Sequence, residues 1–151
     1  MCHPERRREA PQSKDERNTS AETRITMPET LPANFRNNED VKYGQLHVVD
    51  IPGELREHVP WFNQTLTTVN DAVVRLGIFE GDFPWHKHTD QDEFFLVLDG
   101  EIVLEVEGRE PVRLGAHEGF TVPKNVMHRP RSAKRSAVLM VERLGIVPTG
   151  D

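Results

Sequence analysis

A chain of 151 residues has the length for one domain with a real core. Its formal net charge of −6 disfavours nucleic acid as a partner, and no apolar run is long enough to cross a membrane as a helix. The single cysteine, Cys2, excludes an internal disulfide.

Residues 1–26 are rich in Arg, Glu, Ser, Thr and Pro and almost free of apolar side chains. Such a stretch buries too little surface to offset the entropy of ordering, so it is expected to be a disordered tail. The basic run Arg6-Arg7-Arg8 is nearly balanced by Glu5, Glu9, Asp15, Glu16 and Glu22, which argues against a nucleic-acid arm. The charged start has no apolar stretch behind it and does not read as a secretory signal, so the default location is cytoplasmic. Met27 is an alternative start. Residues 27–64 are expected to form an N-terminal extension whose short strands pack on the domain that follows. Within it, 28–38 reads as loop, 43–51 as the first strand and 54–58 as a helical turn.

The main domain is expected over 65–151. Strands at 65–69 and 72–79 flank an Asn70-Asp71 turn and lead into the stretch from Gly81 to Gly100. In extended chain, residues two apart face the same way, so His86 and His88 aim two imidazoles at one point while Lys87 looks outward. Glu93 then opens the apolar run Phe94-Phe95-Leu96-Val97-Leu98, which ends at Asp99-Gly100. Read as a type I′ hairpin turn, that dipeptide sets Glu93, Phe95 and Val97 opposite Val106, Leu104 and Ile102, and puts the carboxylate at the end of an apolar wall. A buried carboxylate is costly unless it is paired or bound to metal. Further on, 111–114 reads as a strand, 115–119 as a turn, and Pro123 to Asn125 as a tight turn between two short strands that would set Thr121 opposite His128. A last strand is expected over 136–142. Short strands punctuated by turns indicate a barrel or sandwich, and three imidazoles with one carboxylate then share a meeting point.

The spacing His86-x-His88-x4-Glu93-x6-Gly100, followed by Gly119…Pro123-x-Asn125-x2-His128, resembles the two motifs of the cupin superfamily. The likeness is specific over 81–128 and extends over about 65–142. Three positions depart from the family pattern: Gly81 stands one residue closer to His86 than usual, Asn125 replaces the turn glycine, and Ser132 stands where many members carry an asparagine. Small bacterial members of this kind are often labelled as resembling mannose-6-phosphate isomerase. The resemblance implies an all-β fold, a double-stranded β-barrel or jelly roll, with His86, His88, Glu93 and His128 converging on one divalent metal ion.

Imidazole and carboxylate ligands suit Fe, Mn, Ni, Co or Zn, and four protein ligands leave an octahedral ion two positions for water, substrate or dioxygen. The expected partner is a small-molecule substrate or ligand. With no second carboxylate or lysine evidently aimed into the barrel, dioxygenase-like chemistry on a small organic molecule is favoured over sugar isomerase, epimerase or lyase chemistry with the metal as Lewis acid. A non-catalytic module binding a small ligand is the alternative of a different class, and a storage-like scaffold is disfavoured by the intact ligand set. Arg75, Arg129 and Arg131 are candidates to recognise a carboxylate or phosphate, although solvated surface positions explain them more simply. His47, His58 and His117 belong to no ligand-spaced pair and read as surface or hydrogen-bonded residues; Phe83 and Trp85 read as packing at the barrel rim. Phe94, Leu96 and Leu98 face away from the site, and covering them calls for the N-terminal strands or a second subunit, so a homodimer is expected.

Overall fold

The computed structural model describes residues 30–151, and the expected tail at 1–26 lies outside them. Nine elements follow in order: β1 (Arg36–Asn38), α1 (Ile51–Glu57), β2 (Phe62–Val69), β3 (Ala72–Asp82), β4 (Glu93–Asp99), β5 (Glu101–Val106), β6 (Val112–Gly115), β7 (Gly119–Val122) and β8 (His128–Arg143). The strands form one sheet folded on itself into the all-β barrel, and the β3–β8 pair is its spine. Along β8, residues 128–131 pair with β5, while residues 137–141 pair with β4. The sheet therefore divides at β8, with β6 beyond β5 on one branch and β7 beyond β4 on the other.

The period-two alternation in β4 and β5 does what a pleated strand requires. Glu93, Phe95 and Val97 are buried and so are Ile102, Leu104 and Val106, the latter five joining Trp61, Phe79, Phe83, Val138 and Met140 in the interior core. On the outer face, Phe62, Leu66, Leu76, Ile78 and Ala137 make a second apolar layer covered by Tyr43, Val49, Ile51 and Leu55. Leu98, an outward position of β4, packs against that layer.

Several local expectations are corrected. Among the described residues β4 and β5 do not pair with each other; Asp99-Gly100 is a corner between the two branches. A type I′ turn needs positive φ at both central residues, and only Gly100 has it (φ 83°). The corner is held by Ser136, whose Oγ accepts from Glu101 N at 3.1 Å, and by Ser132 and Ser136 hydroxyls donating to Glu101 O, each at 3.0 Å. Likewise β7 pairs with β4, so Thr121 faces Phe94 and not His128. Asn125 does adopt the left-handed conformation (φ 62°). The last strand begins at His128 and not at 136. Residues 43–50 contain no strand, and α1 starts at Ile51, where Asp50 accepts from Gly53 N at 3.0 Å as its N-cap. The first strand is instead Arg36–Asn38, formed by parallel pairing with β2.

A Cβ at residue 100 would strain a positive φ and press on Ser136. Gly100→Ala is therefore expected to lower stability by about 2–3 kcal/mol, read as a lower urea midpoint with an unchanged slope.

Candidate metal centre

β3 ends beyond a register shift between Phe79 and Gly81, where Gly81 (φ 101°) turns the chain inward. Phe83 N then donates to Pro130 O at 3.0 Å. Two reciprocal bonds follow, His86 N to His128 O at 3.0 Å and His128 N to His86 O at 2.9 Å. His88 is held in turn by Asn125 N, which donates to its carbonyl at 2.7 Å. Glu93, the first residue of β4, is aligned by its pairing with Val122.

The four residues meet as the spacing predicts. One donor atom from each of His86, His88, Glu93 and His128 lies within 4.8 Å of all the others, and none of the four is more than 6 % exposed. His128 Nε2 stands 3.0 Å from Glu93 Oε2, and His88 Nε2 stands 3.3 Å from the same oxygen. His86 Nδ1 and His128 Nδ1 each lie 2.9 Å from a backbone carbonyl two residues back, that of Pro84 and of Val126. A carbonyl only accepts, so both rings carry the proton on Nδ1 and turn Nε2 inward, the arrangement that prepares imidazole for a metal. A neutral His128 then directs a lone pair at the Glu93 carboxylate, which requires a cation between them or a second proton on the ring. Both ring nitrogens of His88 are buried without a hydrogen-bond partner. Donors bound at about 2.1 Å to one ion stand about 3.0–3.4 Å apart, so the two measured spacings fit a shared divalent ion.

Burial, reinforced by His128 nearby, lowers His86 to a pKa of about 4, which keeps it neutral at physiological pH. Burial alone would raise Glu93, but its close approaches to His128, His88 and Glu142 outweigh it and hold the carboxyl well below the usual range. Glu142 responds in the opposite sense: burial first, then the charge of Glu93 and the hydrogen bond to it, push Glu142 up to about 9.

Glu142 corrects the expectation that no second carboxylate enters the barrel. It is 5 % exposed and lines a cavity with His86, Glu93, Asn63 and the apolar Phe83 and Phe95. The signal was available in strand parity, since Val138, Met140 and Glu142 alternate along β8 and all three are buried. The cavity holds about 20 Å3 of water-accessible space, room for roughly one water.

Of the other singled-out residues, Phe83 lines the same cavity and the rest are not part of its lining. Arg129 pairs with Glu105, Arg131 with Glu105 and Asp82, and Arg75 donates to Asn37. His58 stacks on Phe62 at 3.8 Å and lies 3.1 Å from Glu54. A second group, Glu54, Glu57 and His58, has metal-like spacing, but Lys42 Nζ already stands 2.6 Å from Glu54 and fills that role. Phe83 packs in the core, and Trp85 lies under the Arg129 guanidinium at 5.3 Å.

Fold and site together define a small β-barrel protein with a buried three-histidine, one-carboxylate cluster, and the comparisons bear on the fold and family. The sequence profile of the cupin domain matches residues 72–142. The uncharacterised protein YdbB of Bacillus subtilis is 41% identical over 80 residues, which are 53% of this chain and 71% of YdbB. A cupin-2 domain containing protein from Shewanella frigidimarina is similar in structure, with a TM-score of 0.60 and 27% identity over 64% of this chain and 94% of that one. Hydroquinone 1,2-dioxygenase from Sphingomonas sp., solved with 4-hydroxybenzoate bound, gives a TM-score of 0.58 and 27% identity over 66% of this chain and 32% of that one. The chain belongs to the cupin superfamily.

The shifts above fix the sign of a pH dependence in metal-free protein. Glu142 has a folded pKa raised above its ordinary 4.5, so its contribution to stability is complete below 4.5 and is lost as pH rises through about 9. His86, lowered from 6.5 to about 4, destabilises as pH falls through that window and is silent above it. Metal-free stability is therefore expected to decline between pH 7 and 9 by at most about 1.4 kcal/mol per unit, and Glu142→Gln to flatten the decline in urea titrations at the two pH values.

Proposed function

We propose that His86, His88, Glu93 and His128 bind one divalent metal ion and that the protein is a metal-dependent enzyme acting on a small organic molecule. The observation that carries this reading is the cluster itself: four buried donors at ligand spacing, two of them with tautomers set by Pro84 O and Val126 O. A buried group of this kind, without a metal, leaves His88 unpaired on both nitrogens. Iron held by His86, His88, Glu93 and His128 would supply oxygen chemistry. The likeness to hydroquinone 1,2-dioxygenase supports this among the possible reactions, although this chain spans 32% of that protein.

The chain's own residues hold the ligands and exclude water. Phe79, Phe83, Phe95 and Met140 wall the cavity on the apolar side, which keeps the local dielectric low and strengthens each polar contact inside. Glu142 favours a second reading, proton transfer during isomerisation or elimination with the metal as Lewis acid, because a carboxyl beside the cluster is where a base would be needed. Half-buried Phe94 and Leu96 on the outer face of β4 support a homodimer, which light scattering would test.

Protein purified without chelator is expected to hold near-stoichiometric metal. Glu93→Gln and His88→Ala should each reduce metal content at least about tenfold while circular dichroism stays β-rich. Full occupancy in both variants would remove the ligand assignment. Substrate-dependent oxygen uptake after anaerobic loading with ferrous iron separates the two reactions: uptake favours the oxygenase, and turnover without uptake favours the Lewis-acid reading.

A further inference from the structure

We infer that the segment after β8, from Leu144 to Asp151, is a lid over the histidine cluster, and that its release is the route by which a metal ion and solutes reach the four side chains. The inference rests on the proposed reading of the cluster as a metal site and adds how that site is entered.

After β8 closes at Arg143 the chain reverses: Leu144 N donates to Asp71 O at 2.7 Å and Ile146 N to Arg143 O at 3.2 Å. Buried Ile146 anchors this return, while Leu144 and Val147 beside it are exposed. Pro148 then lines the cavity next to the cluster. Gly150 N donates to Val147 O at 2.9 Å in a second tight turn, and Asp151 closes on the histidine segment itself. Its N–H donates to Lys87 O at 3.2 Å, and its Oδ1 accepts from Thr89 N at 2.9 Å. The extended chain that carries His86 and His88 is thus bonded on one edge to Asn125 and His128 and on the other to Asp151. Gly150 approaches the same chain so closely that a Cβ there would lie 2.6 Å from Lys87 O and 2.9 Å from His86 Cβ. Contact that close excludes water from between the segment and His86.

This wall is the one that can open. Shut, the cavity has water-accessible space of about 20 Å3, room for roughly one water, so nothing larger reaches the cluster through it while every wall stays in place. Most lining residues belong to β2, β3, β4 and β8, and Phe83 and His86 are fastened to β8 through Pro130 O and His128. Pro148 alone among them lies outside both the sheet and the stretch bonded to β8. Moving a sheet wall breaks the barrel. Moving Pro148 breaks the two hydrogen bonds of Asp151 and the packing of Gly150, and a segment held by so few buried contacts opens at a fraction of the free energy of global unfolding.

The test follows metal release into excess EDTA from the purified, metal-containing wild type, Asp151→Ala and Gly150→Val. Asp151→Ala removes the bond to Thr89 N, and Gly150→Val abolishes the close approach. Release is expected to quicken at least about threefold in the first and about tenfold in the second, with circular dichroism unchanged. Hydrogen exchange at the Thr89 amide should quicken by the same factor as metal release, because both pass through the open lid. If Gly150→Val does not fold, Asp151→Ala alone decides. Unchanged release in the folded variants overturns the lid. So does release that quickens only as far as global unfolding in urea does, since a brace for the whole barrel behaves that way. Full metal with unchanged release removes the lid alone, whereas a wild type that holds no metal removes the ligand assignment alone. In that case diethyl pyrocarbonate should modify His86 and His88 at least about threefold faster in Asp151→Ala than in wild type, and an equal rate overturns the lid.

Discussion

The reciprocal backbone bonds between His86 and His128 are the constraint on which the site depends. Each residue donates to the other's carbonyl, so the segment leaving β3 and the start of β8 are locked in register, and the two imidazoles come to 4.4 Å between ring centres. Everything else is arranged around that lock. Gly81 bends the chain far enough for the bridge to form, Asn125 reaches back to hold His88, and the pairing of β4 with β7 and β8 brings Glu93 from the opposite wall. Because all four side chains are buried, small displacements are resisted by packing on every side, which is the pre-organisation a metal site requires.

Such a cluster is electrostatically expensive, and the barrel meets the cost in a graded way. His86 stays neutral through burial, Glu93 is kept ionised by neighbours whose effect outweighs its desolvation, and Glu142 takes the opposite state beside it. Two adjacent carboxyls in different protonation states are what like charges at close range produce. The outer face uses the same physics at a second point. Buried Glu54, 1 % exposed, is held below the ordinary carboxylate range because Lys42, Tyr43 and His58, bonded to it in that order of effect, outweigh its desolvation. That hub joins α1 to the loop before it, and Tyr43, Ile51 and Leu55 pack on the second apolar layer.

The four clustered residues were legible because each sits in a local pattern with a physical meaning. His86 and His88 show the two-residue period of extended chain, Glu93 opens an alternating wall, and Asn125 marks a left-handed turn that does occur. The pairing partners were not legible. Asp99-Gly100 has the composition of a hairpin turn and is a corner, since the neighbour that Glu101 bonds to is Ser136, a residue far along the chain. Arg36–Asn38 carries no strand pattern at all and is a strand only because β2 lies beside it. Glu142 was overlooked for a different reason: its parity with Val138 and Met140 points it inward, but a charged residue near the end of a strand reads as the solvent-facing end.

By itself, then, the sequence determined the strand material from 65 onward, the facing of β4 and β5 and the four candidate ligands, properties set by spacing within a few residues, and its two spaced motifs pointed to the family. Tertiary structure alone decided which strands pair, where the sheet divides, which face the N-terminal extension covers, and that Asn63 and Glu142 share a cavity with the cluster. The difference is one of range: side-chain alternation is a property of the local backbone, whereas pairing across β8 depends on hydrogen bonds and packing between segments that no local pattern records.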